Sequence, residues 1–205
     1  MADFLVVIRS GATDYDLQGR IRGTLDIPLS QEGTAAAERD AADLAAASAA
    51  RPIDAIYAAP TACAAETARI VGRALGLRPR AAAGLENLDQ GLWQGMLVDD
   101  IRRKQPRLYR QWQDNPWSVS PPEGEQLEDA CGRVEDALVK ILKRHGGGRV
   151  AVVVPAPLDQ IVRWLVAGES IGDLWSCAAA AADRSVVELP LAAQWQAPAV
   201  LEKIR

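Results

Sequence analysis

Phe4-Leu5-Val6-Val7-Ile8-Arg9-Ser10-Gly11-Ala12-Thr13 is the stretch on which the fold turns. Its first five residues are apolar, four of them β-branched or aromatic. A continuous run of that kind reads as a buried parallel strand. Gly11 ends the run, which leaves Arg9 and Ser10 at the strand's carboxyl end, where open α/β sheets bind their ligands.

Outward from this strand, Ser30 opens an alanine-rich helix over 34–50, with Leu44 and small residues toward the sheet. Residues 53–57 predict a short second strand. Ala59-Pro60-Thr61 then starts a helix over 62–75 that Gly76 ends. An edge strand is expected over 78–82, and helices over 98–110 and 108–113, with Trp112, Asn115, Pro116 and Trp117 at an irregular tip. Residues 120–126 cap a long amphipathic helix that carries Leu127, Val134, Leu138, Ile141 and Leu142 on one side and runs to about Arg144. Gly146-Gly147-Gly148 breaks it before the most apolar strand, 149–154. Ile161 and Leu165 mark one more helix, and 185–189 with 194–201 finish the sheet as an antiparallel or edge pair. This order predicts an α/β fold, a three-layer αβα sandwich around a mostly parallel central sheet.

A chain of 205 residues, 49% hydrophobic, suffices for one domain over 1–205, with a small lid-like helical insertion at about 96–122. A net charge of −4 offers no field for nucleic acid or an anionic membrane, so neither is an expected partner. No run approaches the roughly 18 apolar residues of a membrane helix. Met1-Ala2-Asp3 lacks the basic start of a signal peptide. Cys63, Cys131 and Cys177 have no metal-like spacing and suit a reducing compartment; the expected location is cytoplasmic.

Separated blocks carry a family resemblance. Arg9-Ser10-Gly11-Ala12-Thr13, Asp16, Gly19-Arg20-Ile21-Arg22-Gly23 and Asp26-Ile27-Pro28-Leu29-Ser30 with Gly33 resemble the opening of the histidine phosphatase superfamily, the phosphoglycerate mutase-like proteins. That family writes Arg-His-Gly-Glu-Thr, Asn, Gly-Arg-x-Gln-Gly and Asp-x-Pro-Leu-(Ser/Thr) at the same offsets. Pro60, Glu66, Thr67 and Ala68 match its next block; Leu85, Gly91, Trp93 and Gly95 match another, and the Pro-Glu-Gly-Glu of 122–125 a third. The resemblance implies the phosphoglycerate mutase-like fold. It also implies a site at which this chain departs from the family. The phosphate-accepting histidine falls on Ser10, the clamp arginine on Cys63, the general-acid glutamate on Asn87 and the second histidine on Ala156.

These replacements bear directly on the chemistry. An imidazole is largely neutral near pH 7 and attacks phosphorus without prior deprotonation, whereas a serine hydroxyl needs a base or a metal. A single lost transition-state donor already costs roughly 3 kcal/mol. The one histidine, His145, reads as a solvated residue at a helix C-terminus. Cys63 to Arg69 has the Cys-x5-Arg spacing of cysteine-dependent phosphatases, but the segment is helical by composition and lacks the glycines of such a loop. Acid pairs such as Asp99-Asp100 or Glu123 with Glu125 read as solvated, so no metal site is expected, and no cofactor is implied.

The anion-binding candidates are Arg9, Ser10, Thr13, Arg20 and Arg22, the last placed at the rim where the family usually has glutamine. Alternatively, Arg9 and Arg20 are structural and pair with Glu66, Asp16 or Asp26. Three functions stay open. The first is a catalytically inactive binding, scaffolding or regulatory module whose partner is a phosphorylated small molecule or a protein. The second is a divergent phosphoester hydrolase using Ser10 with Glu86 or a metal. The third is a structural subunit that completes the oligomer of an active paralogue, which with a homo-oligomer covers the assemblies considered.

Overall fold

The computed structural model describes residues 2–171, 174 and 185–191. Its sheet has five strands in the order β3 (Arg80–Ala81), β2 (Ala55–Ala58), β4 (Arg149–Val154), β1 (Phe4–Arg9) and β5 (Val186–Pro190). The first four run parallel, and β5 joins β1 antiparallel at the edge. β1 and β4 sit side by side from Phe4 opposite Arg149 to Arg9 opposite Val154. They are the most apolar segments because they lie inside the sheet and are covered on both faces. Helices α2 (Gln31–Ala47) and α3 (Ala62–Leu75) pack as one pair, α6 (Leu127–Lys143) and α7 (Leu158–Ala167) as another. They flank the sheet as the expected αβα sandwich of the phosphoglycerate mutase-like type. Among the described residues no helix is long and apolar enough to cross a membrane.

Ser30 caps α2 by accepting the Gly33 N–H, and the helix buries Gly33, Ala37, Ala41 and Leu44 at helical spacing. The loop after β1 lies directly on this cap. A Cβ on Gly33 would collide with the Ala12 carbonyl, and one on Gly11 with the Gly33 carbonyl, so both positions need glycine to let the two backbones meet. A short helix not anticipated from sequence, α1 (Asp14–Leu17), follows at once. Its capping box joins Thr13 and Asp16, with the Thr13 N–H donating to Asp16 Oδ2 at 2.7 Å.

Several sequence boundaries are corrected. The edge strand shrinks from 78–82 to Arg80–Ala81. The two helices expected over 98–110 and 108–113 have other bounds, α4 (Val98–Lys104) and α5 (Pro106–Asp114), and part at Gln105. Pro106 has no N–H to give and forces the preceding residue out of the helical region. Residues 120–126 do not cap α6 through a side chain: the cap residue Gln126 makes no such bond, and Glu125 instead accepts from the Asp89 N–H and from Arg133. The final strand expected over 194–201 lies outside the described residues. Segment 96–122 is fixed through aromatic contacts, Trp112 edge-on to Trp93 at 6.2 Å and Trp117 tilted on Trp164 at 5.0 Å.

Candidate active site

The crevice forms where β1 and β4 end together. The Ser10 N–H donates to the Val154 carbonyl (2.8 Å), which carries the two loops outward side by side. The Gly11 N–H donates to Thr67 Oγ1 (3.1 Å), whose hydroxyl donates to the Cys63 carbonyl (2.9 Å), so the first turn of α3 is tied to the β1 loop. That helix gets no side-chain cap from Thr61; Asp26 accepts the Ala62 N–H at 2.6 Å instead.

Ser10, Cys63, Asn87 and Ala156, the four positions that the motif resemblance singles out, converge here, with Arg22 between them. Ser10 Oγ, on a residue 7% exposed, donates to Cys63 Sγ at 3.5 Å. Arg22 Nη1 donates to the same sulfur (3.4 Å) and to Asp16 Oδ2 (3.1 Å), while its Nη2 donates to the Ala156 carbonyl (3.1 Å). That carbonyl belongs to the cis Ala156–Pro157 peptide and also accepts from Asn87 Nδ2 at 3.3 Å. Asn87 Nδ2 donates to the Gly23 carbonyl as well (2.8 Å), which fixes its orientation and leaves Oδ1 buried without a hydrogen-bond partner among the described residues. Arg22 thus does not stand at the rim: its side chain is 5% exposed and its planar fork spans the crevice.

Arg9 is engaged too, its Nε (2.9 Å) and Nη2 (2.7 Å) both donating to Asp159 Oδ2 on α7. This corrects the alternative pairing of Arg9 and Arg20 with Glu66, Asp16 or Asp26. Glu66 accepts the Leu29 N–H, Asp26 serves α3, and Asp16 belongs to Arg22. Arg20 donates to Gln18 Oε1 and to the Gly95 carbonyl, in a bridge with the strand-like residue Leu97. Thr13 is fully buried as the α1 cap, with its hydroxyl donating to Asp16. Glu86 accepts the Gly84 N–H and lies 3.8 Å from Arg133.

His145 is half-buried and pairs through Nε2 with the Tyr57 hydroxyl at 3.0 Å, so it is not simply a solvated helix end. It precedes β4, whereas Ser10 follows β1; because the two strands run parallel in register, these residues sit at opposite ends of the sheet. Cys63 is a fully buried residue in the first helical turn, so the Cys-x5-Arg spacing forms no phosphate loop. Among the described residues no group of three or more His, Cys, Asp and Glu side chains is set to hold a metal ion.

Sequence reading missed Asp159 and Arg133. Asp159 is buried at 1% exposure on an otherwise apolar helix face, and an acid there demands a cation. Arg133 donates to the carbonyls of Gly84, Glu86 and Asn87 and to Glu125, so it holds the loop that aims Asn87 into the crevice. No pattern in α6 distinguishes Arg133 from a solvated residue.

The profile of the histidine phosphatase superfamily (branch 1) matches residues 5–195. The chain is similar to "Phosphoserine phosphatase 1" of Hydrogenobacter thermophilus, 28% identical over 185 residues that cover 90% of this chain and 86% of that one. It is also similar to "Phosphoglycerate mutase-like protein 4" of Arabidopsis thaliana, 30% identical over 73% of this chain and 64% of the relative. Among solved structures, "Bacillus stearothermophilus YhfR" superposes with a TM-score of 0.73 at 27% identity, covering 86% of this chain and 85% of that one. A chain with this sheet order and this profile match belongs to the histidine phosphatase superfamily.

Proposed function

We infer that this chain is a pseudophosphatase, a member of its superfamily that binds and does not hydrolyse, serving as a binding, scaffolding or regulatory module. The observation that carries the reading is Arg22, whose guanidinium bridges Asp16, Cys63 and Ala156 at the positions where a phosphoryl group and its accepting imidazole would be needed. Among the described residues the hydroxyl of Ser10 meets a thiol and no base, and a general base must lie within about 2.6–3.2 Å of the proton it takes. Asn87 offers an amide that has no proton to give to a leaving group and already spends its donors on two carbonyls.

The crevice also holds two guanidinium groups against two carboxylates, Arg9 with Asp159 and Arg22 with Asp16, so its local charge is balanced. Affinity for a phosphorylated small molecule is therefore weak unless the ligand displaces one of these pairs. The free thiols of Cys63 and Cys131 suit work in a reducing cytoplasm. The test is hydrolysis of p-nitrophenyl phosphate and phosphoserine by the purified chain, with and without divalent metal ions. Turnover at the buffer level is expected; turnover that Ser10→Ala abolishes overturns the reading.

The names of the relatives favour a second reading, a divergent hydrolase in which Ser10 is the nucleophile, assisted by Glu86 or a metal. It requires Glu86 to leave its bond to the Gly84 N–H. Metal-dependent turnover, lost together in Ser10→Ala and Glu86→Gln, would establish it.

A further inference from the structure

Outside the crevice, the most unusual charge distribution lies on α4 and α5. Arg102, Arg103, Lys104, Arg107 and Arg110 fall within nine residues of a chain whose net charge is −4. Asp100 engages Arg103 (2.6 Å) and Lys104 (3.7 Å). Arg102, Arg107 and Arg110 are exposed and make no ion pair or side-chain hydrogen bond among the described residues. Arg102, Pro106, Tyr109, Arg110 and Gln113 line a surface pocket of about 370 Å³.

Helix stability does not account for this arrangement. Cations at the end of α4 complement its dipole, but Arg107 lies in the first turn of α5, where positive charge is disfavoured. Arg107 and Arg110 are also like charges three residues apart on one helix, a destabilising pair. Two arginines from different helices at the wall of a small polar cavity match a ligand with several anionic oxygens, since each guanidinium offers a fork of donors. The volume lies at the lower end of the roughly 300–1,000 Å³ of small-ligand sites and suits a compact molecule.

We propose that the Arg102–Arg110 pocket is a second site, separate from the Arg9–Ser10 crevice, that binds a small phosphorylated molecule carrying a diphosphate or two phosphate groups. The site is independent of whether Ser10 is catalytic.

The experiment is calorimetric titration of the full chain with inorganic pyrophosphate at low and physiological salt. It compares wild type, Arg102→Ala/Arg110→Ala and the charge-matched surface pair Arg39→Ala/Arg73→Ala. All four residues are exposed, so each variant is expected to fold, with circular dichroism as the check. Binding that weakens by about tenfold or more in the first double variant, and by less than about twofold in the control, supports the site. No binding at millimolar pyrophosphate, equal loss in both variants, or binding untouched by the loss of Arg102 and Arg110 overturns it. Binding of an acidic peptide in the absence of pyrophosphate binding overturns it as well.

Discussion

Arg22→Ala removes the side chain that fills the crevice, and the cost follows from what each lost partner keeps. Asp16 loses one charged donor but retains the Thr13 N–H (2.7 Å) and the Thr13 hydroxyl (2.8 Å). The Ala156 carbonyl retains Asn87, and the Cys63 sulfur was a weak acceptor. The penalty of about 3–5 kcal/mol for stranding a buried charge therefore does not apply in full. What remains is a charge-assisted hydrogen bond, worth roughly 1.5–3 kcal/mol, and a small loss of packing. We expect a destabilisation of about 2–3 kcal/mol, which for a chain of this size lowers Tm by roughly 4–12 °C. Arg22→Lys keeps the charge but not the fork and should fall between the two. Calorimetric melting and urea titration of the three proteins measure this. A Tm for Arg22→Ala within a degree or so of wild type would mean that Arg22 is not engaged as described, and the filled crevice would lose its basis.

Other measurements probe separate parts of the molecule. Asp159→Ala removes the carboxylate that accepts from Arg9 Nε and Nη2 and should cost about 1.5–3 kcal/mol by urea unfolding, the worth of a charge-assisted hydrogen bond, against a smaller loss for Asp159→Asn, which keeps an acceptor. Arg133→Ala strips donors from three carbonyls of the 84–87 loop. It should cost about 2–4 kcal/mol, with faster amide exchange at Asn87 and Asp89 as the local signature. Burial, reinforced by Glu128 and Glu135, pushes the Cys131 thiol from 9.0 up to about 12. Below pH 9 both folded and unfolded thiols are protonated, so stability is unaffected there. From 9 toward 12 only the unfolded state loses the proton, and stability should fall with rising pH by up to about 1.4 kcal/mol per unit. Cys131→Ala should remove that part of the alkaline slope, measured as the difference between the two proteins' urea midpoints against pH.

The strands and the helix starts were legible in the sequence because they rest on local rules. An unbroken apolar run must be covered on both faces, which fixed β1 and β4. Ser30 and Gly76 sit at helix ends for reasons of hydrogen bonding and backbone angle that involve only a few neighbours. The identities of Ser10, Cys63, Asn87 and Ala156, the positions that the motif resemblance singles out, were equally plain in the chain itself. The split at Gln105 was written in Pro106 and is again a local effect.

Which charge meets which was decided only by the fold. Arg9 and Asp159 are separated by 150 positions, and no periodicity relates them; parallel strands bring them together because β1 and β4 end at the same level. The same packing turned Arg22 inward to span Asp16, Cys63 and Ala156, and put His145 at the opposite end of the sheet from Ser10. The sequence by itself therefore determined the scaffold and which residues, Ser10, Cys63, Asn87 and Ala156, stand at its crevice. Only the tertiary structure decided what lies between them, because a buried guanidinium pairs with whichever acceptors the packed backbone brings within reach.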